Sequence, residues 1–530
     1  MAQMDHFSSP FNVHFCSIPA KPFLIGVSRA RFFVKNMLYY FPMAKEKLKK
    51  MANASLAKSI NRLKERKPHI SLSFDSLVKR LHQAIETFPD IRKGMNISKK
   101  LKDAALGGFA IFFTQNPSFL EYQKTMQETR GHNNAQSLFG IEEILSDNHI
   151  RTLLDGVAPV FVFPIFSYIF NVLNKSGYLD EEFRSFNNNI LIGLDGTQYY
   201  NSKAIHCDNC NKKQHKNGSI TYFHSVVTPV ILKPGSNRVI ALAPEFITPQ
   251  DGHDKQDCEN AAAKRWIKSN GSWLRQLGVT LTGDDLYCKQ PICELILEEG
   301  LNFILVCKEE SHKTLYEYLD YLVEDIQTVE VSRWEGKRYV VDSYRFLNSV
   351  PLRDGEDALE VNWCEIITRE RDGDCDNDND NDNDDDNDDD DDDSWEVTYK
   401  NAFVTDFEIT KKNVGKIVAD GRGRWKVENE NNNVLKTKGY HLEHNFGHGK
   451  KNLSALFLTY NILAFLFHTI LELVDEKYKV IRQTLPSRQT FFNDVRALTR
   501  YIYFDKWEAL MCFMITGLKE KLHTLPLPDT

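Results

Sequence analysis

The hydrophobic periodicity of the chain changes near residue 190, and this limits the fold more than any other feature. Before it, apolar residues recur at helical spacing between basic ones from Ala44 to Lys102: Leu48, Met51, Leu56, Ile60 and Leu63, then Leu77, Leu81 and Ile85. Further helices are expected from Asp103 through Leu173, interrupted around Gly131–Asn134 and by Pro159 and Pro164. After it come short apolar runs bounded by Gly, Pro or Asn, which predict strands at Ile190–Leu194, Thr221–Val230 and Val239–Ala243. A helix at Cys258–Trp273 follows, then strands at Val279–Leu281 and Phe303–Cys307 on either side of a helical stretch around Pro291–Glu299. Three strands followed by alternating helices and strands predict an α/β fold with a mixed sheet.

From about Ser311 to Asp406 the pattern is different. Arg338–Val341, Leu359–Thr368 and Glu396–Phe403 read as strands carrying aromatic residues, a β-rich insertion in the core. Inside it, residues 372–393 hold fifteen Asp and no basic residue, too little hydrophobicity to offset the entropy of ordering, so a disordered loop is expected. Helical patterning resumes from Arg422 through Asn429, again from Leu453 to Leu473, and ends in a pair around Gln489–Arg500 and Trp507–Leu518. The expected organisation is a basic helical DNA-binding region (1–105), a helical region leading to the core (106–185), a first part of the core (186–310), the β-rich insertion (311–409), a second part of the core (410–480) and a C-terminal helical region (481–530).

Charge bears on the partner. The whole chain carries −7, but with the fifteen aspartates of the acidic run set aside the remainder is at +8. Residues 1–108 contain twenty Lys/Arg against seven Asp/Glu, a basic arm able to neutralise phosphates or simply to solvate a helical face. The ten cysteines are scattered and no secretory leader precedes them, which predicts a reducing, cytoplasmic setting. Two apolar runs, Val157–Leu173 and Ala455–Val474, approach membrane-spanning length; the prolines in the first and Thr459, Asn461 and His468 in the second predict buried helices and no membrane.

Three carboxylates sit where an α/β sheet could bring them together. The apolar run Leu191-Ile192-Gly193-Leu194 ends at Asp195-Gly196-Thr197, and Val279-Thr280-Leu281 is followed by Gly283-Asp284-Asp285-Leu286-Tyr287. Glu428 lies in Arg424-Trp425-Lys426-Val427-Glu428, sharing a face with Arg424 if that segment is helical. Taken singly, these are as well read as a turn dipeptide, a solvated loop and a surface ion pair. Taken in order, they have the composition that two-metal phosphoryl transfer requires, since hard divalent cations prefer carboxylate oxygen.

At these residues the sequence resembles the bacterial insertion-sequence transposases of the DDE class that carry a β-rich insertion between the second Asp and the Glu. The resemblance runs over roughly residues 100–515. It is carried by Ile192-Gly193-Leu194-Asp195-Gly196-Thr197, by Pro249-Gln250-Asp251-Gly252 with Lys255-Gln256-Asp257-Cys258-Glu259, and by Gly283-Asp284-Asp285-Leu286-Tyr287. It continues in Arg424 to Glu430 and Gly439 to His444, and ahead of them in Phe112-Phe113-Thr114-Gln115 and Gln136 to Ile141. It implies an RNase H-like mixed sheet, with Asp195, Asp284 and Glu428 as catalytic ligands of two magnesium or manganese ions; Asp284 is preferred to Asp285 because the family pattern places the ligand three before the tyrosine. The implied activity is cleavage at transposon ends and transfer of the freed 3′ hydroxyl into target DNA. The implied partners are terminal inverted repeats and target DNA, bound by a homodimer, in a bacterial cytoplasm and nucleoid-associated on DNA. The alternatives are a structure-directed nuclease and a catalytically impaired or domesticated DNA-binding descendant.

The family's Tyr, Arg, Glu, Lys signature is altered: Arg424 and Glu428 fit, Gly421 stands at the Tyr position, and Leu435 at the Lys position with Lys436 one place late. Arg424, Lys436 and Tyr440 are therefore the expected DNA contacts. Trp334, Trp363 and Trp395 are candidates for stacking on a flipped base, or for core packing. Elsewhere Cys207-x-x-Cys210 with His215 and His224 has half of a zinc pattern, otherwise a mobile loop. Glu245, Gln250, Asp251, His253, Asp254, Asp257 and Glu259 border the DNA or metal site by resemblance, or include a helix cap at Asp254 or Asp257. His441, His444 and His448 lie near one helical face as further DNA contacts.

Overall fold

The computed structural model describes residues 70–90, 92, 97–126, 133–249, 258–372, 395–444 and 446–518. The described residues all belong to one compact unit, Pro68–Thr530. The helices expected between Ala44 and Leu63, the acidic run after Asp372, and Gln250, Asp251, His253, Asp254 and Asp257 lie outside the described residues.

The architecture is mixed α/β. Strand β1 (Ile190–Gly193) has all four residues buried, so it reads as a continuous apolar run without alternation. It pairs antiparallel with β5 (Val230–Leu232), Leu191 opposite Leu232, and parallel with β8 (Val279–Gly283), Ile192 opposite Leu281. Outside these lie β6 (Ile240–Ala241), antiparallel to β5, and β9 (Asn302–Val306), parallel to β8. The strands expected at 190–194, 239–243, 279–281 and 303–307 are thus present, and the single run expected over 221–230 is two strands in different sheets.

The sheet does not stop at β9. The strands β10 (Gln327–Glu335), β11 (Arg338–Pro351), β12 (Glu360–Asp372) and β13 (Glu396–Thr405) form an antiparallel meander whose last strand pairs with β9, Phe403 opposite Val306. One nine-stranded sheet results, in the order β10-β11-β12-β13-β9-β8-β1-β5-β6. Trp363 on β12 is 2% exposed, which corrects its candidacy for stacking on a base; Trp334, 51% exposed, and Trp395 lie at the outer end of the meander. A second sheet is formed by β2 (Gly196–Ser202), β3 (Asn211–Gln214), β4 (Ile220–Val227) and β7 (Glu245–Ile247), with β4 paired to all three others.

Helices cover the sheet. Pro164 sits in the first turn of Phe163–Lys175, where its missing N–H costs no hydrogen bond. The helix Leu453–Val474 is long and apolar enough to cross a membrane, yet 89% of its apolar window is buried inside the fold. It is a core helix, packed through Phe467 and His468 on Phe109 and Phe113 of the helix Leu101–Phe113 at ring distances of 5.1 and 4.4 Å. Its N-terminus is tied down by Asp155, whose carboxylate accepts from the backbone N–H groups of Lys450, Lys451 and Leu453 at 3.0–3.2 Å.

Candidate active site and metal-ligating clusters

Asp195 leaves β1, the middle strand of the stretch β6-β5-β1-β8-β9, where the chain crosses into β2 of the small sheet. Thr228 N–H donates to its carbonyl oxygen at 2.9 Å. Its carboxylate accepts from Asn432 Nδ2 at 2.9 Å. The Asn432 amide has one orientation available, because its Oδ1 already accepts from Thr228 Oγ1 and Asn431 Nδ2, each at 2.9 Å, leaving the NH₂ to face Asp195.

Glu428 arrives on a π-helical turn, Val427–Asn432, between the helices Val414–Arg422 and Asn433–Thr437. Such turns widen the helix locally and recur at functional sites. The turn lies directly on β1: a Cβ at Gly193 would stand 2.3 Å from Val427 Cγ2, so only glycine admits this approach. Gly421 is required in the same way, since a Cβ there would lie 2.6 Å from the Phe403 ring on β13. Leu435 is fully buried and belongs to the core, whereas Lys436 points into the cleft and pairs with Glu443 at 3.1 Å.

The two adjacent aspartates have separate fates. Asp284 follows β8, accepts from Leu286 N–H at 2.9 Å, and lines the cleft. Asp285 turns away to the Lys308 N–H at 2.8 Å, the Ser311 hydroxyl and His312 Nε2 at 3.4 Å, holding the chain that leaves β9. Asp195, Asp284 and Glu428 therefore line one cleft of about 530 Å³ with Arg424, Lys308 and Lys436.

A fourth carboxylate belongs to this region. Glu259 opens the helix Glu259–Leu277, accepts from Tyr287 Oη at 2.6 Å and lies so close to Gly196 that a Cβ there would sit 2.1 Å from its carboxylate. Burial raises its pKa, with Asp284 adding to the rise and the Tyr287 hydrogen bond opposing it. The cap position of this helix is Cys258, and the alternative caps Asp254 and Asp257 lie outside the described residues. In the sequence Glu259 is one of seven polar residues placed by resemblance at the border of the DNA or metal site, with nothing to single it out. Its partner Tyr287, three after Asp284, was the available signal.

Burial pushes the Asp195 pKa up to about 7, and the neighbouring Glu259, Asp284 and Glu428 charges add to it while Arg424 opposes them. Among the described residues no ion pair neutralises Asp195, Asp284 or Glu428. Asp195 and Asp284 are half-buried and Glu428 is exposed, and the three carboxylates share the cleft without closing on one point as the thiol and imidazole clusters below do.

Tyr440 is not at this cleft, which corrects its expected DNA contact. It is 1% exposed, its hydroxyl meets His468 Nδ1 at 2.5 Å and accepts from Arg488 Nη1 at 3.0 Å, and its carbonyl accepts from Asn461 Nδ2. The described residues from His441 to His448 are not helical, so the three histidines share no helical face.

Two clusters of thiol and imidazole groups have ligand atoms close enough to hold a metal ion: Cys207, Cys210, His224 and His448, and Cys288, Cys307 and His312, all buried. The first retains three of the four residues expected from the sequence. His215 is not among them, because its Nε2 is engaged with Thr221 Oγ1 at 2.8 Å on the far side of the β3–β4 turn. The chain matches no family model and no curated protein, so the reading of both sites rests on their own geometry.

Proposed function

We propose that the chain is a DNA transposase of the DDE class, built on an RNase H-like core, that cleaves and transfers DNA strands by metal-dependent phosphoryl transfer. The observation that carries the reading is the convergence of Asp195, Asp284 and Glu428, from a strand end, a strand-to-helix turn and a helical turn, on one cleft edged by Arg424, Lys308 and Lys436. The strand order β6-β5-β1-β8-β9, three antiparallel strands and then two parallel ones, is consistent with an RNase H-like core.

Asp195, Asp284 and Glu428 are the residues that would hold magnesium or manganese. Two such ions, when bound, supply activation of the attacking oxygen and support for the leaving one. Asn432 fixes the rotation of the Asp195 carboxylate, and Glu259 with Tyr287 braces the turn after it. Arg424 offers a planar fork to the non-bridging oxygens of the scissile phosphate, while Lys308 and Lys436 lie where neighbouring phosphates would pass. In the first step water attacks phosphorus and the 3′ oxygen leaves. In the second, that 3′ hydroxyl attacks a target phosphate in line, gives up its proton, and displaces the 3′ oxygen of the target strand, which leaves as a free 3′ hydroxyl. Two chains, one on each transposon end, give the expected homodimer on DNA.

The test uses duplexes carrying the DNA that flanks the gene, a target plasmid and magnesium or manganese. Joined products are expected, and Asp195→Ala should abolish cleavage and joining while DNA binding persists. Cleavage without joining would reduce the reading to a nuclease, and cleavage surviving in Asp195→Ala would overturn the ligand assignment.

A further inference from the structure

Four ligand atoms from three distant parts of the chain face a common centre away from the carboxylates. Cys207 and Cys210 lie in the loop between β2 and β3, His224 on β4, and His448 just ahead of the helix Leu453–Val474. The Sγ atoms are 3.9 Å apart, three of the four Sγ to Nε2 distances are 3.3, 3.4 and 3.6 Å, and the two Nε2 atoms are 3.1 Å apart. A tetrahedral ion with the usual zinc–sulfur and zinc–nitrogen bond lengths requires edges of about 3.8, about 3.6 and about 3.3 Å in the same order.

We propose that Cys207, Cys210, His224 and His448 bind one zinc ion that clamps the small sheet to the segment leading out of the Glu428-bearing helix. A disulfide does not account for the geometry, since sulfurs 3.9 Å apart are well beyond bonding distance and the imidazoles would have no reason to close on them. Hydrogen bonding would need these groups only in pairs, whereas all four ligand atoms close on one centre, within 4.8 Å of one another. The tautomer of His448 is set from outside: its Nδ1 donates to the Gly449 carbonyl at 2.8 Å, leaving Nε2 free to ligate. The rings of Tyr200 and Tyr199 lie 4.4 Å from His448 and 5.7 Å from His224, shielding the centre.

With four protein ligands and no open position, this ion is structural and takes no part in phosphoryl transfer. It ties together residues 224 positions apart in sequence, His224 and His448. Asn209 Nδ2, donating to the Lys451 carbonyl at 2.9 Å, makes the same connection without metal. The strand that follows Asp195 and the segment that follows Glu428 are thereby fixed to each other, independently of what the carboxylates bind.

The full-length protein, purified without chelator, should contain about one zinc per chain by elemental analysis, and X-ray absorption should show two sulfur and two nitrogen neighbours. Exchange for cobalt should give the visible spectrum of a tetrahedral two-thiolate site. His448→Ala should lose the metal, His215→Ala should retain it, and His448→Cys should retain it with three sulfur neighbours. A protein that stays zinc-free after refolding with zinc would overturn the proposal. Zinc lost in His215→Ala but kept in His448→Ala would overturn the ligand set. The absorption and cobalt spectra need only the unmodified protein, so a misfolded variant does not remove the test.

Discussion

Replacing Asp195 by Asn tests the electrostatics of the cleft directly. The carboxylate is held at about 7 in the folded chain against an ordinary aspartate value of 3.8, chiefly by burial and then by Glu259. At about 1.4 kcal/mol per tenfold change, that difference corresponds to roughly 4 kcal/mol of destabilisation when the group is ionised, and the open, solvated cleft reduces it to about 2 kcal/mol. The sign follows from linkage. Below pH 3.8 the group is protonated whether the chain is folded or not, and no penalty exists. Between 3.8 and about 7 the unfolded chain gives up its proton first, so stability falls as pH rises, and above 7 the full penalty applies. Asn keeps an oxygen to accept from Asn432 Nδ2 and carries no charge. Urea unfolding of the metal-free protein should therefore show Asp195→Asn more stable than the parent by about 2 kcal/mol at pH 8, and by less at pH 5. Added magnesium should stabilise the parent but hardly the variant, closing the gap. A gain of the same size at both pH values, or a variant less stable than the parent at pH 8, would refute the reasoning.

Other outcomes follow from the same geometry. Asp284→Asn should abolish DNA cleavage with the fold intact, whereas Asp285→Asn should lower thermal stability by about 1–3 kcal/mol, through its weakened bonds to Lys308 N–H, Ser311 and His312, and leave cleavage measurable. Gly193→Ala drives a methyl into Val427 Cγ2 and Leu232 Cδ2, so a cost of about 1–3 kcal/mol and a loss of cleavage through displaced Glu428 are expected in unfolding and nicking assays. Tyr440→Phe removes a buried hydroxyl from His468 and Arg488; denaturation should show a loss of about 1–3 kcal/mol while DNA affinity by band shift stays unchanged.

Much of the core was legible because burial on both faces of a sheet leaves a mark in one dimension. β1 is an uninterrupted apolar run, β9 is one after its first residue and β8 is buried throughout, and the ends of β1 and β8 located Asp195 and Asp284. β2, β3 and β7 were not legible: they are short, polar on one side and stabilised by pairing with β4, a relation with no local signature. β10 escaped for a similar reason, as nearly every residue in it is exposed.

By itself the sequence determined the α/β class with a mixed sheet, the three carboxylates, and Cys207, Cys210 and His224 of the four-ligand cluster. The tertiary structure decided between neighbours that sequence cannot separate. It turned Asp284 into the cleft and Asp285 away, brought Lys436 into it beside a buried Leu435, and enclosed Tyr440 in the helical core. It also replaced His215 by His448 and added Glu259 to the site, both through contacts across long stretches of chain. The reason is the same in each case: periodicity records which face of an element is buried, whereas which side chains meet depends on the crossing of elements that adjoin only after folding.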